Sequence, residues 1–238
     1  MKCSICTGVL KSIGTVPFDR NNQEVPVVDT TPMEYYKCET CCFVCCPEML
    51  SWTPEMLGAR VYNSEYVKYD PDYLGTRPKN YADSIHRLTL GNKAKIKHLD
   101  YGSGSGIMSK LLSEKGWNSR YCDPYGASNT EPGQVFNFIT AIEVVEHALD
   151  INATIAGIKS MLDPRTGTVL FSTQLADANT NIDWWYIGAR NGHIGILSAQ
   201  SLKILAKRHG LFFSSLNSGM HLLQPTRNNF KDLILRYS

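Results

Sequence analysis

The sequence predicts an α/β protein whose central sheet is Rossmann-like, mostly parallel, and ends in a C-terminal antiparallel hairpin. Residues 96–123 follow the pattern of a strand, a glycine turn, a helix and a second strand. Strand and helix patterns then alternate until two strand-like segments, 211–216 and 220–224. Seven of the eight cysteines lie within the first 46 residues, which predicts a separate small module there. We therefore divide the chain into a cysteine module (1–46), a helical connector (47–95) and a ligand-binding domain (96–238).

The cysteine module carries two C-x-x-C pairs, Cys3 with Cys6 and Cys38 with Cys41. Each pair can place two sulfurs on one tetrahedral zinc ion, and two pairs complete a closed structural site. The module is too small to bury a core of its own, so metal binding would supply its folding energy. The sequence thus predicts a small N-terminal zinc ribbon with short strands at residues 25–28 and 34–37. Buried or redox-sensitive thiols without metal are the alternative, and a contribution stays open from three further cysteines, Cys42, Cys45 and Cys46.

The connector begins with a helix signal, because Thr53 can cap a helix whose first residue is Pro54. Four tyrosines then recur near helical spacing: Tyr62, Tyr66, Tyr69 and Tyr73. Such a row predicts either a packed face or the wall of a pocket for sugars or aromatic substrates. A helix-like segment, residues 80–90, leads from there into the first strand of the domain.

Three alternating glycines directly follow that first strand, at positions 102, 104 and 106. A turn without Cβ atoms lets the backbone approach a ligand closely, and the free N–H groups of the next helix offer donors. Asp123 ends the second strand, where a carboxylate can accept hydrogen bonds from ribose hydroxyls. These features predict a site for a nucleoside-containing cofactor.

The spacing of the glycines argues against a nicotinamide cofactor. The dinucleotide fingerprint G-x-G-x-x-G needs a glycine where Ile107 stands. The motif Asp100-x-Gly102-x-Gly104-x-Gly106 instead resembles motif I of the class I S-adenosylmethionine-dependent methyltransferases. The resemblance implies that Asp100 and the glycines hold the methionine moiety of S-adenosylmethionine, and that Asp123 holds its ribose. A purely structural glycine and serine loop is the alternative.

The segment after Asp123 departs from the standard pattern of that family. Only about a dozen residues separate Asp123 from the next strand, predicted at residues 136–141. The third strand and the usual acidic contact to adenine are therefore reduced or missing. Residues 128–130 are candidates for adenine recognition.

The segment Glu143-Val144-Val145-Glu146-His147 follows that strand. Its E-x-x-E-H pattern resembles the methyltransferases that include ubiquinone-type O-methyltransferases and many sugar-modifying enzymes. Glu143 should lie near the cofactor, because ligands of open α/β sheets bind beyond the carboxyl ends of strands. His147 is a candidate general base for an acceptor hydroxyl. The alternative is that Glu146 and His147 only brace the start of the following helix, predicted at residues 151–162.

A further strand is predicted at residues 168–173, followed by the aromatic triplet Trp184-Trp185-Tyr186. The triplet predicts either a hydrophobic plug or a wall of the acceptor pocket. With the later Asn191-Gly192-His193 it resembles bacterial methyltransferases that carry a W-W-Y…N-G-H segment, which makes His193 a second candidate base. Ser198 is the predicted cap of a helix that stops at Gly210.

The charge balance bounds the class of partner. Lys and Arg number 24 and Asp and Glu 22, and the cysteine module alone has four basic and five acidic residues. Such a surface offers little phosphate neutralisation, so nucleic acid is not favoured. No apolar run approaches the roughly 20 residues that span a bilayer, and no apolar signal region follows Met1. We expect a soluble, cytoplasmic protein that does not bind membranes.

The sequence favours a methyltransferase that uses S-adenosylmethionine to O-methylate a small molecule or a glycan, with a structural zinc ion. Two alternatives stay open. A zinc-ribbon RNA methyltransferase would need a basic face, and a salt-dependent gel shift with RNA would favour it. A non-catalytic cofactor-binding scaffold would be favoured if S-adenosylmethionine gave neither heat nor a thermal shift.

Overall fold

The computed structural model of the chain describes residues 1–21, 25–88, 93–227, 230–231 and 233. The chain forms two compact units, each assembled from separate segments. The first unit comprises Met1–Pro71, Val145–Thr154 and Thr173–Leu205. The second comprises Asp72–Val144, Ile155–Ser172 and Ala206–Ser238. The division of the sequence at residues 46 and 95 stays a prediction about segments of the chain.

The regular elements of the described residues are ten strands and seven α-helices. The strands are β1 (Leu10–Pro17), β2 (Pro32–Cys38), β3 (Val44–Cys45), β4 (Lys97–Tyr101), β5 (Asn118–Cys122), β6 (Phe138–Ile142), β7 (Thr168–Ser172), β8 (Gly195–Ile196), β9 (Phe212–Ser215) and β10 (Met220–Gln224). The helices are α1 (Pro47–Leu50), α2 (Pro54–Arg60), α3 (Tyr66–Tyr69), α4 (Thr76–Leu88), α5 (Ile107–Glu114), α6 (Ile151–Ser160) and α7 (Ala199–Arg208).

The second unit is built on a six-stranded sheet in the order β5-β4-β6-β7-β10-β9. β4 pairs in parallel with β5 and β6, and β6 with β7. β10 pairs antiparallel with both β7 and β9. The predicted Rossmann-like sheet with its C-terminal antiparallel hairpin is therefore confirmed. Residues 123–137, all of them described, form no strand beyond isolated bridges, so the third strand of the usual pattern is missing as predicted.

Hydrophobic packing fixes the helices against this sheet. Ala82 and Ile85 of α4 and Met108 and Leu112 of α5 are buried in one cluster with Phe138 of β6. Their spacing of three and four residues gives each helix one apolar face, which the sheet covers. All five residues of β7 are buried, as expected for an inner strand with both faces covered. This packing holds the start of α5 at the carboxyl end of β4.

Most predicted helix ends lie within one or two residues of the observed ones, with an exception at α4. The helix predicted at residues 80–90 begins earlier, at Thr76, and its last two predicted residues lie outside the described part of the chain. The signal at Thr53 is confirmed, because its hydroxyl accepts a hydrogen bond from the amide of Met56 at 3.3 Å and α2 follows. None of the described helices has the length and apolar character needed to cross a bilayer.

The first unit contains a four-stranded antiparallel sheet in the order β1-β2-β3-β8. The predicted strand at residues 34–37 is confirmed as part of β2. The one predicted at residues 25–28 is wrong: these residues have no regular structure. The backbone amides of Val28 and Asp29 instead donate to the carboxylate of Asp19, at 3.2 and 2.8 Å. That carboxylate takes the hydrogen bonds that a neighbouring strand would otherwise accept.

Candidate functional site

The glycine turn, residues 102–106, joins β4 to α5 in the second unit. Its three glycines all have positive φ, +69° at Gly102, +55° at Gly104 and +73° at Gly106. Glycine adopts this region without strain. A Cβ atom at Gly102 would lie 2.5 Å from Val144, and one at Gly106 would lie 2.9 Å from the ring of Tyr121. At Gly104 the nearest atom is the Tyr73 hydroxyl at 3.3 Å, so this is the least crowded point of the turn.

The structure brings Asp123 to this turn, as the sequence predicted from the end of the second strand. One carboxylate oxygen of Asp123 accepts a hydrogen bond from the Gly104 amide at 2.8 Å. The other accepts from the amide of Tyr125 at 2.9 Å. The Ser103 hydroxyl is buried in the turn and has no hydrogen-bond partner among the described residues. The turn therefore presents a carboxylate and an unsatisfied hydroxyl, both of which suit a polar ligand.

Asp100 belongs to a closed ring of buried polar groups in β4, β5, β6 and α5. The Asp100 carboxylate accepts from the Ser109 amide and lies 3.5 Å from the Thr140 hydroxyl. His98 Nε2 lies 3.0 Å from the same hydroxyl, and His98 Nδ1 lies 2.7 Å from that of Ser119. The Ser119 and Ser109 hydroxyls, 2.8 Å apart, close the ring. We call these five residues the buried polar ring. Because Asp100 is engaged in it, the contact of Asp100 with a cofactor stays a prediction.

Burial sets the protonation of the two titratable groups in the buried polar ring. It raises the pKa of the Asp100 carboxyl to about 7, although hydrogen bonds from Ser109 and Thr140 oppose the shift. It lowers the pKa of His98 to about 3. Both changes favour the uncharged form, because a charge loses hydration when it is buried. The ring is therefore close to neutral when the solution is mildly acidic.

Glu143 follows β6 in a strained backbone conformation, with φ of +52°. The hydroxyl of Ser172 accepts from the Glu143 amide at 2.9 Å and donates to its carboxylate at 2.7 Å. Because β4, β6 and β7 are parallel, Glu143 and the glycine turn follow the same edge of the sheet. Ligands bind at that edge in open α/β sheets, and strain of this kind is concentrated at functional positions.

The candidate bases belong to the first unit. His147 lies in a 3₁₀ turn, Val145–His147, and its Nδ1 is 2.8 Å from the Gly192 carbonyl oxygen. His193 Nδ1 is 2.5 Å from the carbonyl oxygen of Tyr186. A carbonyl oxygen can only accept, so Nδ1 of each neutral ring carries the proton and Nε2 is the acceptor nitrogen. The two ring centroids are 5.2 Å apart, so the structure brings both predicted imidazoles together.

Glu146 lies beside the two imidazoles. Its side chain is completely buried and accepts a hydrogen bond from the hydroxyl of Tyr186. One ligand atom from each of Glu146, His147 and His193 falls within 4.8 Å of the other two. We call these three residues the Glu-His-His cluster. Of the aromatic triplet, Tyr186 is buried against the cluster, whereas Trp185 is 56% exposed.

The four predicted zinc ligands also come together. The sulfur atoms of Cys3, Cys6, Cys38 and Cys41 lie within 4.8 Å of one another. Cys3 Sγ and Cys41 Sγ are 3.7 Å apart, and Cys6 Sγ and Cys38 Sγ are 3.4 Å apart. A tetrahedron with Zn–S distances of about 2.3 Å has edges of about 3.8 Å, so the sulfurs fit a zinc ion.

The two C-x-x-C pairs share a backbone feature. The residue after each C-x-x-C pair has positive φ, +61° at Thr7 and +57° at Cys42, so Cys42 occupies the equivalent turn position of the second pair. Burial raises the pKa of Cys45 to about 12 and that of Cys46 to about 11. The hydrogen bond from Cys41 lowers the pKa of Cys3 to about 5. The hydrogen bond to Cys3 raises the pKa of Cys41 well above its usual value, and burial raises that of Cys6, so the pKa shifts do not distinguish the two sets of cysteines.

Several contacts within these sites were not predicted from the sequence. They involve the Tyr73 hydroxyl beside Gly104, Ser172 beneath Glu143, Tyr186 beside Glu146, and the partners of Asp100 in the buried polar ring. The adenine candidates fold back on β5 instead of facing outward together: the Asn129 side chain accepts from the Tyr121 amide at 2.7 Å. Contacts of this kind join segments far apart in sequence, and only the row of tyrosines and the aromatic triplet drew attention to any of them.

Comparison with known proteins gives a family for this arrangement. A family model described as a methyltransferase domain matches residues 73–213. Among solved structures, an O-methyltransferase family protein from Burkholderia thailandensis has a similar fold, with a TM-score of 0.50 and 10% identity over 76% of this chain and 67% of that one. DesVI from Streptomyces venezuelae gives a TM-score of 0.48 and 13% identity over 66% of this chain and 97% of that one. Curated protein sequences gave no significant match.

Proposed function

Because the chain belongs to the methyltransferase domain family, we propose that it is an S-adenosylmethionine-dependent methyltransferase acting on a small molecule or a glycan. The single observation that carries this proposal is the glycine turn, with Asp123 hydrogen-bonded to the Gly104 amide. A carboxylate at that position suits the ribose hydroxyls of an adenosyl group. In the same turn the Ser103 hydroxyl has no hydrogen-bond partner among the described residues, so it is the proposed donor to the polar atoms of the methionine moiety.

S-Adenosylmethionine would supply a methyl group bound to a sulfonium sulfur. An in-line displacement by an acceptor oxygen would transfer this methyl group and leave a neutral thioether. The chain would contribute the positioning of both reactants and the removal of the acceptor proton. His147 and His193 are the proposed bases, since Nε2 is the acceptor nitrogen of each ring. Three residues separate Glu143 from His147 in the sequence.

We further propose that the four cysteines hold a structural zinc ion. Four thiolate ligands fill a tetrahedral zinc ion, so no position is left for a substrate. The metal would then stabilise the sheet of β1, β2 and β3 and take no part in methyl transfer.

Calorimetric titration with the donor tests the cofactor site. We expect the wild-type chain to bind S-adenosylmethionine and S-adenosylhomocysteine and to ignore NAD. Asp123→Ala should weaken both by tenfold or more, because it removes a charge-assisted contact. Glu131→Ala, which removes an exposed carboxylate from the same unit, serves as the matched control. Binding of NAD in place of S-adenosylmethionine would overturn the proposal.

A transfer assay with a labelled methyl group tests the acceptor. Sugars, nucleotide sugars and small hydroxyl compounds are compared with RNA. Label in RNA would favour the RNA methyltransferase, and tight donor binding without transfer to any acceptor would favour a scaffold protein. With an accepted substrate, His147→Asn and His193→Asn separate the two bases: loss of the base should lower kcat about 100-fold or more while donor affinity is unchanged. Full turnover in both variants would exclude both.

A further inference from the structure

We propose that the Glu-His-His cluster is a second metal site, which binds a divalent transition-metal ion such as Zn²⁺. It consists of Glu146, His147 and His193, whose ligand atoms lie within 4.8 Å of one another. The site shares no residue with the four cysteines. Metal binding there goes beyond the proposed methyl transfer and does not depend on it.

The protonation of both imidazoles suits metal ligation. Each ring directs Nδ1–H to a backbone carbonyl, His147 to Gly192 and His193 to Tyr186. Ligating histidines commonly donate their second nitrogen in this way, which fixes the tautomer and the orientation of the ring. The two Nε2 atoms are therefore the nitrogens that can coordinate an ion, and their rings are held 5.2 Å apart between centroids.

The residues around the Glu-His-His cluster hold its side chains in this orientation. Gly192 has φ of +80°, and a Cβ atom there would lie 3.0 Å from His147 Nδ1, so glycine permits the close approach of its carbonyl. The hydroxyl of Tyr35 donates to the His193 carbonyl at 3.0 Å. Tyr186 donates to the carboxylate of Glu146, which orients the third ligand. Outer partners of this kind typically contribute 10- to 100-fold to metal affinity.

The ligand set indicates the class of metal. Two imidazoles and one carboxylate suit Zn²⁺, Fe²⁺ and similar ions, and three protein ligands leave at least one position for an oxygen donor. Glu146 is completely buried, and a cation beside it would offset the cost of burying its charge. Bound zinc ligands lie roughly 3.4 Å apart, so the side chains would move together by about an ångström as the ion binds.

The metal would change how an acceptor loses its proton. An oxygen bound to a divalent cation is more acidic than the free hydroxyl, because the cation stabilises the resulting alkoxide. In the loaded state the ion, and not an imidazole, would then activate the acceptor. This consequence rests on the proposed function, whereas metal binding itself is measured without any substrate.

Metal content of the full chain tests the proposal. The purified protein is stripped with a chelator, loaded with Zn²⁺, desalted and analysed for zinc per chain. We expect two equivalents in the wild type and one in both Glu146→Gln and His147→Asn. His86→Asn, which removes a histidine of the second unit, is the matched control and should keep both equivalents.

Loading with Co²⁺ distinguishes the two sites by their absorption. Cobalt bound to four cysteines gives a strong thiolate charge-transfer band in the near ultraviolet together with visible d–d bands, and cobalt at the cluster adds weak visible bands that are obtained by subtracting the His193→Asn spectrum from that of the wild type. The weak bands should disappear in His193→Asn while the thiolate band stays. A single equivalent in the wild type that Glu146→Gln does not change would overturn the proposal, and the wild-type count itself is measured without any variant.

Discussion

Among single residues, Gly104 is the position of the glycine turn where both the backbone conformation and the space around the residue favour glycine. Its φ is positive, its amide donates to Asp123, and the Tyr73 hydroxyl lies 3.3 Å from where a Cβ would stand. Gly133 offers a comparison without a site, since its φ is +75° and a Cβ there would meet no atom within 4 Å. A substitution at Gly133 therefore measures the effect of backbone strain alone, whereas one at Gly104 adds the effect of a side chain in the candidate site.

We predict that Gly104→Ala weakens the binding of S-adenosylmethionine by tenfold or more, while Gly133→Ala leaves it unchanged. Both variants should lose about 1 kcal/mol of stability, because an L-residue in the left-handed region is strained. Titration calorimetry measures the affinity and thermal unfolding measures the stability. Equal affinity in the two variants would show that the turn does not contact the donor.

Residues whose chemistry depends on local spacing were predictable. The three glycines, Asp123 and the paired cysteines belong to short patterns, and the structure brings each set together. The contacts of Tyr186 with Glu146 and of Ser172 with Glu143 were missed, because the partners lie 40 and 29 residues apart and the pairing arises only on folding. Nothing in the sequence near His98 marks it as a member of a buried polar ring.

Among the elements, β4 carries two titratable groups whose burial acts in opposite directions on stability. The pKa of Asp100 rises from 3.8 to about 7, so between those values the folded state holds a proton that the unfolded state has released. Its contribution to stability therefore falls as pH rises through that range. The pKa of His98 falls from 6.5 to about 3, so the unfolded state holds the extra proton and stability rises with pH there. Between about pH 4 and 6.5 the two contributions largely cancel.

Substitution of either Asp100 or His98 should make the pH dependence of stability that the other residue causes measurable. Relative to the wild type, Asp100→Asn should gain unfolding free energy with rising pH, by about 1.4 kcal/mol per pH unit between about pH 4 and 7, because the contribution of Asp100 that falls over this range is removed. Relative to the wild type, His98→Gln should lose unfolding free energy with a similar slope between about pH 3 and 6.5. Urea unfolding at a series of pH values measures both. Asp72→Asn, an exposed carboxylate of the same unit, is the control. Parallel curves for all four proteins would contradict the assigned protonation states.

The strands of the second unit were easier to predict than those of the first. β6 and β7 are apolar runs of five residues between turn signals, and they were found to within about two residues. β1 was missed, since its pairing with β2 shifts between Ser12 and Gly14 and no regular alternation survives in the sequence. β8 has only two residues, Gly195 and Ile196, so it carries no pattern of its own. Its place beside β3 is decided by pairing across 150 residues.

For the whole molecule, the units do not follow the order of the sequence. The first unit combines the cysteine segment with residues 145–154 and 173–205. The same sheet contains β2 and β3 from the cysteine segment and β8 from the last of these. The Ser198 hydroxyl also donates to the Cys41 carbonyl. A metal ion held by the four cysteines would therefore stabilise residues that no sequence boundary would assign to the same module.

Removal of that metal should accordingly lower the local stability of residues beyond the first 46. We predict that chelation, or Cys41→Ser, raises hydrogen exchange in β8 together with β2 and β3, by at least tenfold, because β8 is bonded to β3. Structural zinc sites contribute on the order of 10 kcal/mol, more than enough for such a change. Amides of β4 and β6 provide an internal reference within the same sample, and Cys122→Ser, which alters the cysteine outside the module, is the matched control. If β2 loses protection while β8 keeps it, the shared sheet does not transmit the stability of the metal site, and β8 is held by other contacts of the first unit.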